Sequence, residues 1–155
     1  MEIEYLNKME ETTEVFGFTN KGESEEVIDA FQVESNMTFP KAYREFLFLA
    51  GRYCNLRIAG STLKYSIKRQ VYTKRTLKEL GLSIEGGEFW VISELDGGEQ
   101  FDFFYFDDPD ALDSENPPVY VSHPAYLDDG LPLKEKIADT FSQYIDDKIR
   151  AYTKQ

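Results

Sequence analysis

The chain has 155 residues, of which 41% are hydrophobic and 15% aromatic, and this composition excludes a chain that stays disordered. Its length fits a single domain, which we expect to span residues 1–155. Seventeen Lys and Arg against 29 Asp and Glu give a net charge of −12, which repels phosphate backbones and disfavours nucleic acid as a ligand of the whole protein.

The first third of the sequence predicts helices. Leu6, Met9 and Thr13 recur at near-helical spacing. Ser24 is a suitable N-cap for a second helix, because two glutamates follow it in the first turn, where the helix dipole favours acids. Pro40 begins a third helix, since its fixed φ suits the first helical position.

The pattern then changes from a helical period to a period of two. Apolar and polar residues alternate over residues 61–68, which predicts a strand with one buried face and one solvated face. A short helix is expected to follow and to end at Gly81. The apolar members of the alternation are Leu63, Tyr65 and Ile67.

Residues 89–95 and 101–106 are the clearest pair of strands, joined by a loop that contains two glycines. The second of these strands is almost continuously aromatic, so we expect it to be central and covered on both faces. Trp90 belongs either to the core or, on the outer face of the sheet, to an interface.

The C-terminal part predicts one more strand and a closing helix. The strand spans residues 119–122, and Pro132 opens a helix with apolar residues at i+4 spacing. The order of elements predicts an α+β fold, with a mostly antiparallel sheet on which N-terminal helices and a C-terminal helix pack. The apolar positions of the closing helix are Leu133, Ile137, Phe141, Ile145 and Ile149.

Charge is strongly segregated along the chain. Residues 46–78 contain basic residues and no acid, whereas residues 79–133 contain acids and no Lys or Arg. Either basic and acidic strands neutralise each other across one sheet, or the acids form a binding surface; a third possibility is a solvated rim that maintains solubility. The candidate binding acids are Glu94, Asp96, Glu99, Asp102, Asp107, Asp108, Asp110 and Asp113, with Glu115 at the end of the group.

Two other functions find less support in the sequence. The basic segment with interleaved tyrosines has a nucleic-acid-binding composition, but the net charge and the strand pattern favour an ordinary polar sheet face. Cys54 and His123 are the only cysteine and histidine, so we expect a buried Cys54, a loop His123 and no catalytic residue, metal site or cofactor.

Three segments together resemble a known family. Residues 38–47 contain a Pro-initiated helix with a Tyr-x-x-Phe-Leu pattern, residues 95–107 a glycine-containing hairpin that ends in an aromatic strand and an Asp, and residues 136–145 a closing helix with an Ala and an aromatic. In this order they resemble the SUKH superfamily, the bacterial immunity proteins with a Smi/Knr-type domain. The resemblance implies a non-enzymatic protein that binds a toxin domain, frequently a nuclease, in the cell that makes the toxin.

The expected partner is therefore a basic nuclease toxin domain that meets the acidic surface, with no role for nucleic acid or membrane. The alternatives are a regulatory or scaffolding protein of the same fold and a small metal-dependent hydrolase that uses the acids. We expect a cytoplasmic location, because the first residues are acidic where a signal peptide is basic, and no segment approaches the roughly 18 apolar residues of a membrane helix.

Overall fold

Helices surround a four-stranded antiparallel sheet in the computed structural model, which describes residues 1–153. A single turn of 3-10 helix, Leu63–Tyr65, lies before α4, and a longer 3-10 segment, Pro124–Asp129, lies between β5 and β6. The elements are α1 (Asn7–Glu11), β1 (Glu14–Val15), β2 (Phe18–Thr19), α2 (Glu25–Glu34), α3 (Lys41–Ala50), α4 (Ser66–Glu79), β3 (Phe89–Leu95), β4 (Gln100–Tyr105), β5 (Val119–Ser122), β6 (Glu135–Ala138) and α5 (Phe141–Thr153).

The sheet has the strand order β3-β4-β5-β6, and every neighbouring pair is antiparallel. The predicted hairpin and the predicted strand at residues 119–122 are confirmed, and β4 is an inner strand with aromatic side chains buried on both faces. The register of β3 shifts between Val91 and Ser93, so this strand carries a bulge. The α+β fold class is confirmed.

Helices α2 and α3 begin where the sequence predicts. The Ser24 hydroxyl accepts a hydrogen bond from the backbone N–H of Val27 at 3.2 Å, which satisfies one unpaired N–H of α2. Pro40 directly precedes α3, whose apolar stripe is buried. The buried apolar residues of α3 are Ala42, Tyr43, Phe46, Leu47 and Ala50.

The larger core lies between one face of the sheet and helices α1, α2, α3 and α5. Trp90 belongs to this core: it is 3% exposed, and its indole N–H donates to the Tyr43 hydroxyl at 3.0 Å. Phe39 and Phe31 pack edge-on against the Trp90 ring. The structure thus places Trp90 in the interior rather than at the surface.

Helix α4 packs along the β3 edge of the sheet and adds to a smaller core on the opposite face. The sheet contributes Val91, Phe101, Phe103, Tyr105 and Tyr120 to this core, whereas α4 contributes Leu77 as its apolar buried residue. The other buried positions of α4 are polar: Ser66, Arg69, Gln70 and Thr73.

The strand predicted for residues 61–68 is wrong. Leu63–Tyr65 forms a 3-10 turn and α4 begins at Ser66, although the predicted helix end near Gly81 is confirmed. Leu63 is buried, but Tyr65 and Ile67 are 51% and 49% exposed, so the alternating residues share no buried face. Because the basic segment is mainly a helix, neutralisation between basic and acidic strands of one sheet is wrong as well.

Two helix boundaries also differ from the prediction. The first third of the chain contains a small hairpin, β1–β2, so Thr13 lies outside α1. The closing helix begins at Phe141 instead of Pro132. The residues before it form strand β6, which contains Ile137. The Thr140 hydroxyl accepts from the Gln143 N–H at 3.1 Å, and this cap sets the start of α5.

Candidate binding surfaces

The acids at the start of β4 cluster around the β3–β4 turn. Glu94 accepts a hydrogen bond from the Gly98 N–H at 2.9 Å, and Glu99 accepts one from the Tyr126 hydroxyl at 3.1 Å. That bond, with Asp96 and other acids nearby, raises the pKa of Tyr126. Glu94 and Glu99 therefore hold the turn together, and Asp96 is the exposed acid of this group.

The acids at the end of β4 shape the loop to β5. Asp108 accepts from the Asp110 N–H at 2.9 Å and from the Tyr120 hydroxyl at 2.8 Å. This hydroxyl is partly buried, and burial together with the Asp108 carboxylate raises the pKa of Tyr120. Asp107 and Asp110 are exposed, and their carboxylates make no hydrogen bond or ion pair within residues 1–153.

Asp113 and Glu115 tie the same loop to the N-terminal half. Asp113 accepts from the Tyr5 hydroxyl at 2.6 Å and from the Glu115 N–H at 2.9 Å. The Tyr5 hydroxyl holds the pKa of Asp113 below its usual value, and the same bond raises the pKa of Tyr5 to about 12. Arg44 forms an ion pair with Glu115 at 3.1 Å, so both acids have a structural role.

Asp102 lies on the face of β4 that meets the larger core. It accepts a 2.6 Å hydrogen bond from the Tyr144 hydroxyl and a longer one, 3.4 Å, from Ser93. Burial raises the pKa of Asp102, although the bond from Tyr144 and the charge of Lys148 act in the opposite direction. An acid held between β4 and α5 contributes little to an exposed surface.

The structure therefore divides the predicted acids instead of gathering them on one patch. The turn and the loop lie at opposite ends of β4, whose six residues span about 20 Å at the usual rise of a strand. Three of the eight, Asp96, Asp107 and Asp110, are exposed acids without a side-chain hydrogen bond or ion pair among residues 1–153. Strand alternation could have found Asp102, since it shares a face with Phe104.

Cys54 and His123 occupy positions without an obvious chemical role. Burial raises the pKa of the Cys54 thiol to about 11, so it is protonated at neutral pH and is a poor nucleophile. His123 precedes the 3-10 helix at Pro124–Asp129, and its backbone N–H donates to the Pro132 carbonyl at 3.1 Å. Residues 1–153 contain no cluster of His, Cys, Asp and Glu that could hold a metal ion.

A second charged surface, which the sequence analysis did not place on a helix, is the outer face of α4. It carries four exposed basic residues, and none of them forms an ion pair with a carboxylate of residues 1–153. We call this surface the basic face of α4. Its basic residues are Lys68, Lys74, Arg75 and Lys78.

These features describe an α+β fold with an antiparallel sheet packed against helices, with exposed acids at both ends of β4 and exposed cations along α4. Residues 22–147 match the SMI1 / KNR4 family (SUKH-1), and the chain belongs to this family. Membership supports an immunity protein of the general Smi1/Knr4 type, a class that is generally non-enzymatic and binds a toxin partner. The comparison with curated proteins finds no match. Within residues 1–153, every helix is too short or too polar to cross a membrane.

Proposed function

We propose that this protein is a non-enzymatic immunity protein that neutralises a cognate nuclease toxin domain by binding its basic surface. The observation that carries the proposal is the loop after β4, where Asp107 and Asp110 are exposed and form no ion pair with any residue of 1–153, in a family member of net charge −12. Nuclease domains are basic where they bind phosphates, so acids at this loop match them in charge.

The loop is also well suited to present these two carboxylates. Its backbone is fixed by Asp108 and Asp113, and the ion pair between Arg44 and Glu115 anchors it to α3. A loop that is ordered before binding loses less conformational entropy when the complex forms. Asp107 and Asp110 are therefore the residues that we expect to meet the toxin.

The test is a charge reversal at these two positions. We expect the gene immediately upstream to encode the cognate toxin domain, and we expect Asp107→Lys/Asp110→Lys to slow association with it, because exposed charges steer encounter. The rate for the wild type should also fall as ionic strength rises to physiological values, where the Debye length is about 8 Å. Stopped-flow fluorescence measures these rates, and survival of cells that produce the toxin measures protection.

The matched control is Glu26→Lys/Glu34→Lys, which makes the same charge change at exposed positions of α2. It should slow association less than the loop variant does, and both variants should melt within a few degrees of the wild type because exposed charges contribute little to folding. Binding that is equally insensitive to salt and to the loop variant would remove the loop from the interface. Absence of any complex with the toxin would contradict the immunity role.

An enzymatic alternative is tested separately with the purified protein. We expect no cleavage of nucleic acid, peptide or glycoside, because burial keeps the Cys54 thiol protonated and so makes it a poor nucleophile. Turnover that persists through repurification and is lost in His123→Ala would show that the protein is an enzyme.

A further inference from the structure

The helix α4 has its polar and apolar residues in unusual places. Its buried side is polar except for Leu77, while Ile67, Val71 and Tyr72 are 49%, 47% and 42% exposed. Ile67 and Val71 are four residues apart and so are neighbours on one side of the helix. An apolar stripe on the solvent side of a helix is typical of a surface that another molecule covers.

The same side of α4 carries unpaired positive charge. Lys68 and Lys78 make no side-chain hydrogen bond, ion pair or ring contact within residues 1–153. Lys74 and Arg75 lie near the rings of Phe89 and Tyr72, at 5.9 and 5.5 Å, and not near carboxylates. In a chain with 29 acids and 17 basic residues, a helix with four exposed cations that form no ion pair within residues 1–153 is a marked exception, even with Glu79 at its end and Glu94 beside Lys68.

Buried hydrogen bonds fix α4 rigidly on the sheet. Gln70 accepts from the Val91 N–H at 2.8 Å and donates to the Val91 carbonyl at 2.9 Å, and the Arg69 guanidinium donates to the same carbonyl at 3.0 Å. Near the other end of α4, the Thr76 hydroxyl donates to the Gly97 carbonyl at 2.6 Å. The exposed side is therefore held in one orientation before any partner arrives, which lowers the entropic cost of binding.

We propose that the basic face of α4, together with its Ile67–Val71 stripe, docks an acidic segment of another polypeptide chain. The cations supply charge complementarity, and the aliphatic pair supplies contacts for apolar side chains of the partner. A cavity of about 260 Å³ lined by Tyr65, Lys68, Tyr72 and Glu94 can receive an apolar side chain of the partner at one end of this surface, since the Glu94 carboxylate disfavours an acidic one.

A polypeptide fits this surface better than nucleic acid does. The exposed pair Ile67 and Val71 is aliphatic, and the exposed rings of Tyr65 and Tyr72, on which a base could stack, lie beside the Glu94 carboxylate, which repels phosphate. The net charge of −12 also opposes the approach of a long phosphate backbone, whereas a short acidic segment meets mainly the local field of α4. A second copy of this chain carries the same net charge and is repelled for the same reason.

The test uses a fluorescein-labelled peptide of about 14 residues, the length of α4, in which pairs of Glu alternate with Leu. Fluorescence anisotropy should show saturable binding that weakens as salt is added. Lys68→Glu/Lys78→Glu should weaken binding about tenfold, because two attractive contacts become repulsive. Ile67→Gln/Val71→Gln should also weaken it, by about threefold or more, because apolar burial is lost while the helix is maintained.

The control is Lys8→Glu/Lys21→Glu, an equal charge change at exposed lysines outside α4, which should bind the peptide almost as the wild type does. Equal losses in the control and the α4 variant would show a nonspecific charge effect and would overturn the proposal. No peptide binding, or tighter binding of a labelled single-stranded oligonucleotide of equal charge, would overturn it too. Sedimentation that reveals dimers abolished by the α4 changes would assign the surface to a second copy instead.

The test is independent of the immunity role, because it needs no toxin and because Asp107 and Asp110 lie at the far end of β4 from the β3–β4 turn that contacts α4. Thermal melting of each variant checks folding, and exposed positions should change it little. Peptide binding without toxin binding would therefore contradict only the immunity role, and toxin binding without peptide binding would contradict only the proposal for α4.

Discussion

The two faces of the sheet are covered in different ways. On one face, α1, α2, α3 and α5 bury apolar side chains, many of them aromatic, in a continuous core. On the other face, α4 adds Leu77 to the aromatic side chains of the strands and otherwise approaches with polar residues. The first face is stabilised mainly by hydrophobic burial, and the second depends on hydrogen bonds from α4 to the edge strand.

Those hydrogen bonds also protect an exposed edge. Strand β3 is the first strand in the order β3-β4-β5-β6, so its outer N–H and C=O groups lack a neighbouring strand. At Val91, Gln70 occupies both groups as a strand would, and further along the edge the Glu94 N–H donates to the Ala59 carbonyl at 3.3 Å. Edge groups covered in this way are not available for pairing with another chain.

The largest expected effect breaks the apolar face. Phe141→Ala should lower the free energy of unfolding by about 3–5 kcal/mol, and Leu47→Ala by about 2–5 kcal/mol, because both side chains are fully buried and each change leaves a cavity. Chemical denaturation measures both losses. Leu112→Ala, at a fully exposed leucine, is the control and should change the value by less than about 0.5 kcal/mol. Losses that small at Phe141 and Leu47 would contradict the packing described here.

A smaller effect is expected on the polar face. Gln70→Leu should cost about 1–3 kcal/mol, because leucine is of similar size but leaves the N–H of Val91 without its partner. The control, Val71→Ala, changes the exposed neighbour on the same helix and should stay within about 0.5 kcal/mol of the wild type. A Gln70→Leu variant as stable as the wild type would show that α4 is held by burial after all.

The same contrast explains which elements could be predicted from the sequence. Helix α3 buries an apolar stripe at helical spacing and strands β3, β4 and β5 are nearly continuously apolar, so hydrophobicity identified them, whereas the Ser24 cap marked the start of α2. In α4 the apolar residues Ile67 and Val71 point outward and the buried ones are mostly polar, so hydrophobicity showed no helical period there. The alternation of apolar and polar residues over residues 61–68 therefore arose by chance, from a 3-10 turn followed by a helix whose apolar residues face solvent.

At the C-terminus the error had a different cause. Leu133 and Ile137 continue the i+4 spacing of α5 by chance, although they precede the helix. The sequence did contain a boundary signal, since Thr140 and Gln143 have the spacing of a capping box. A cap inside a long apolar repeat is thus a better guide to the start of a helix than the repeat itself.

For the candidate acids, the sequence supplied the charge but not the partners. The density of acids over residues 94–115 was visible, and Asp107 and Asp110 do lie at the surface. The hydrogen bonds of Asp108 and Asp113 to tyrosines distant in the sequence depend on tertiary contacts, so no local pattern could have separated structural acids from unpaired ones. The assignment of the acids to a toxin interface stays a prediction.

The smallest expected effect concerns Asp102, a carboxylate on the otherwise apolar face, and it appears as a dependence on pH. Burial raises the pKa of Asp102 above its usual 3.8, so between that value and the raised pKa the folded protein holds a proton that the unfolded chain has released. The contribution of Asp102 to stability is therefore greatest at low pH and falls as pH rises through this window. Asp102→Asn removes the titration while its amide oxygen can still accept from Tyr144.

We expect the free energy of unfolding of Asp102→Asn, minus that of the wild type, to increase as pH rises from about 4 and to level off above the raised pKa, where Asp102 is ionised in both states. Urea denaturation of both proteins at several pH values gives this difference, and the titration of all other groups largely cancels in it. Asp107→Asn, at an exposed acid, serves as the control and should give a nearly flat difference. A difference for Asp102→Asn that decreases with pH would mean that Tyr144 and Lys148 outweigh burial, and that even the apolar face stabilises an ionised carboxylate.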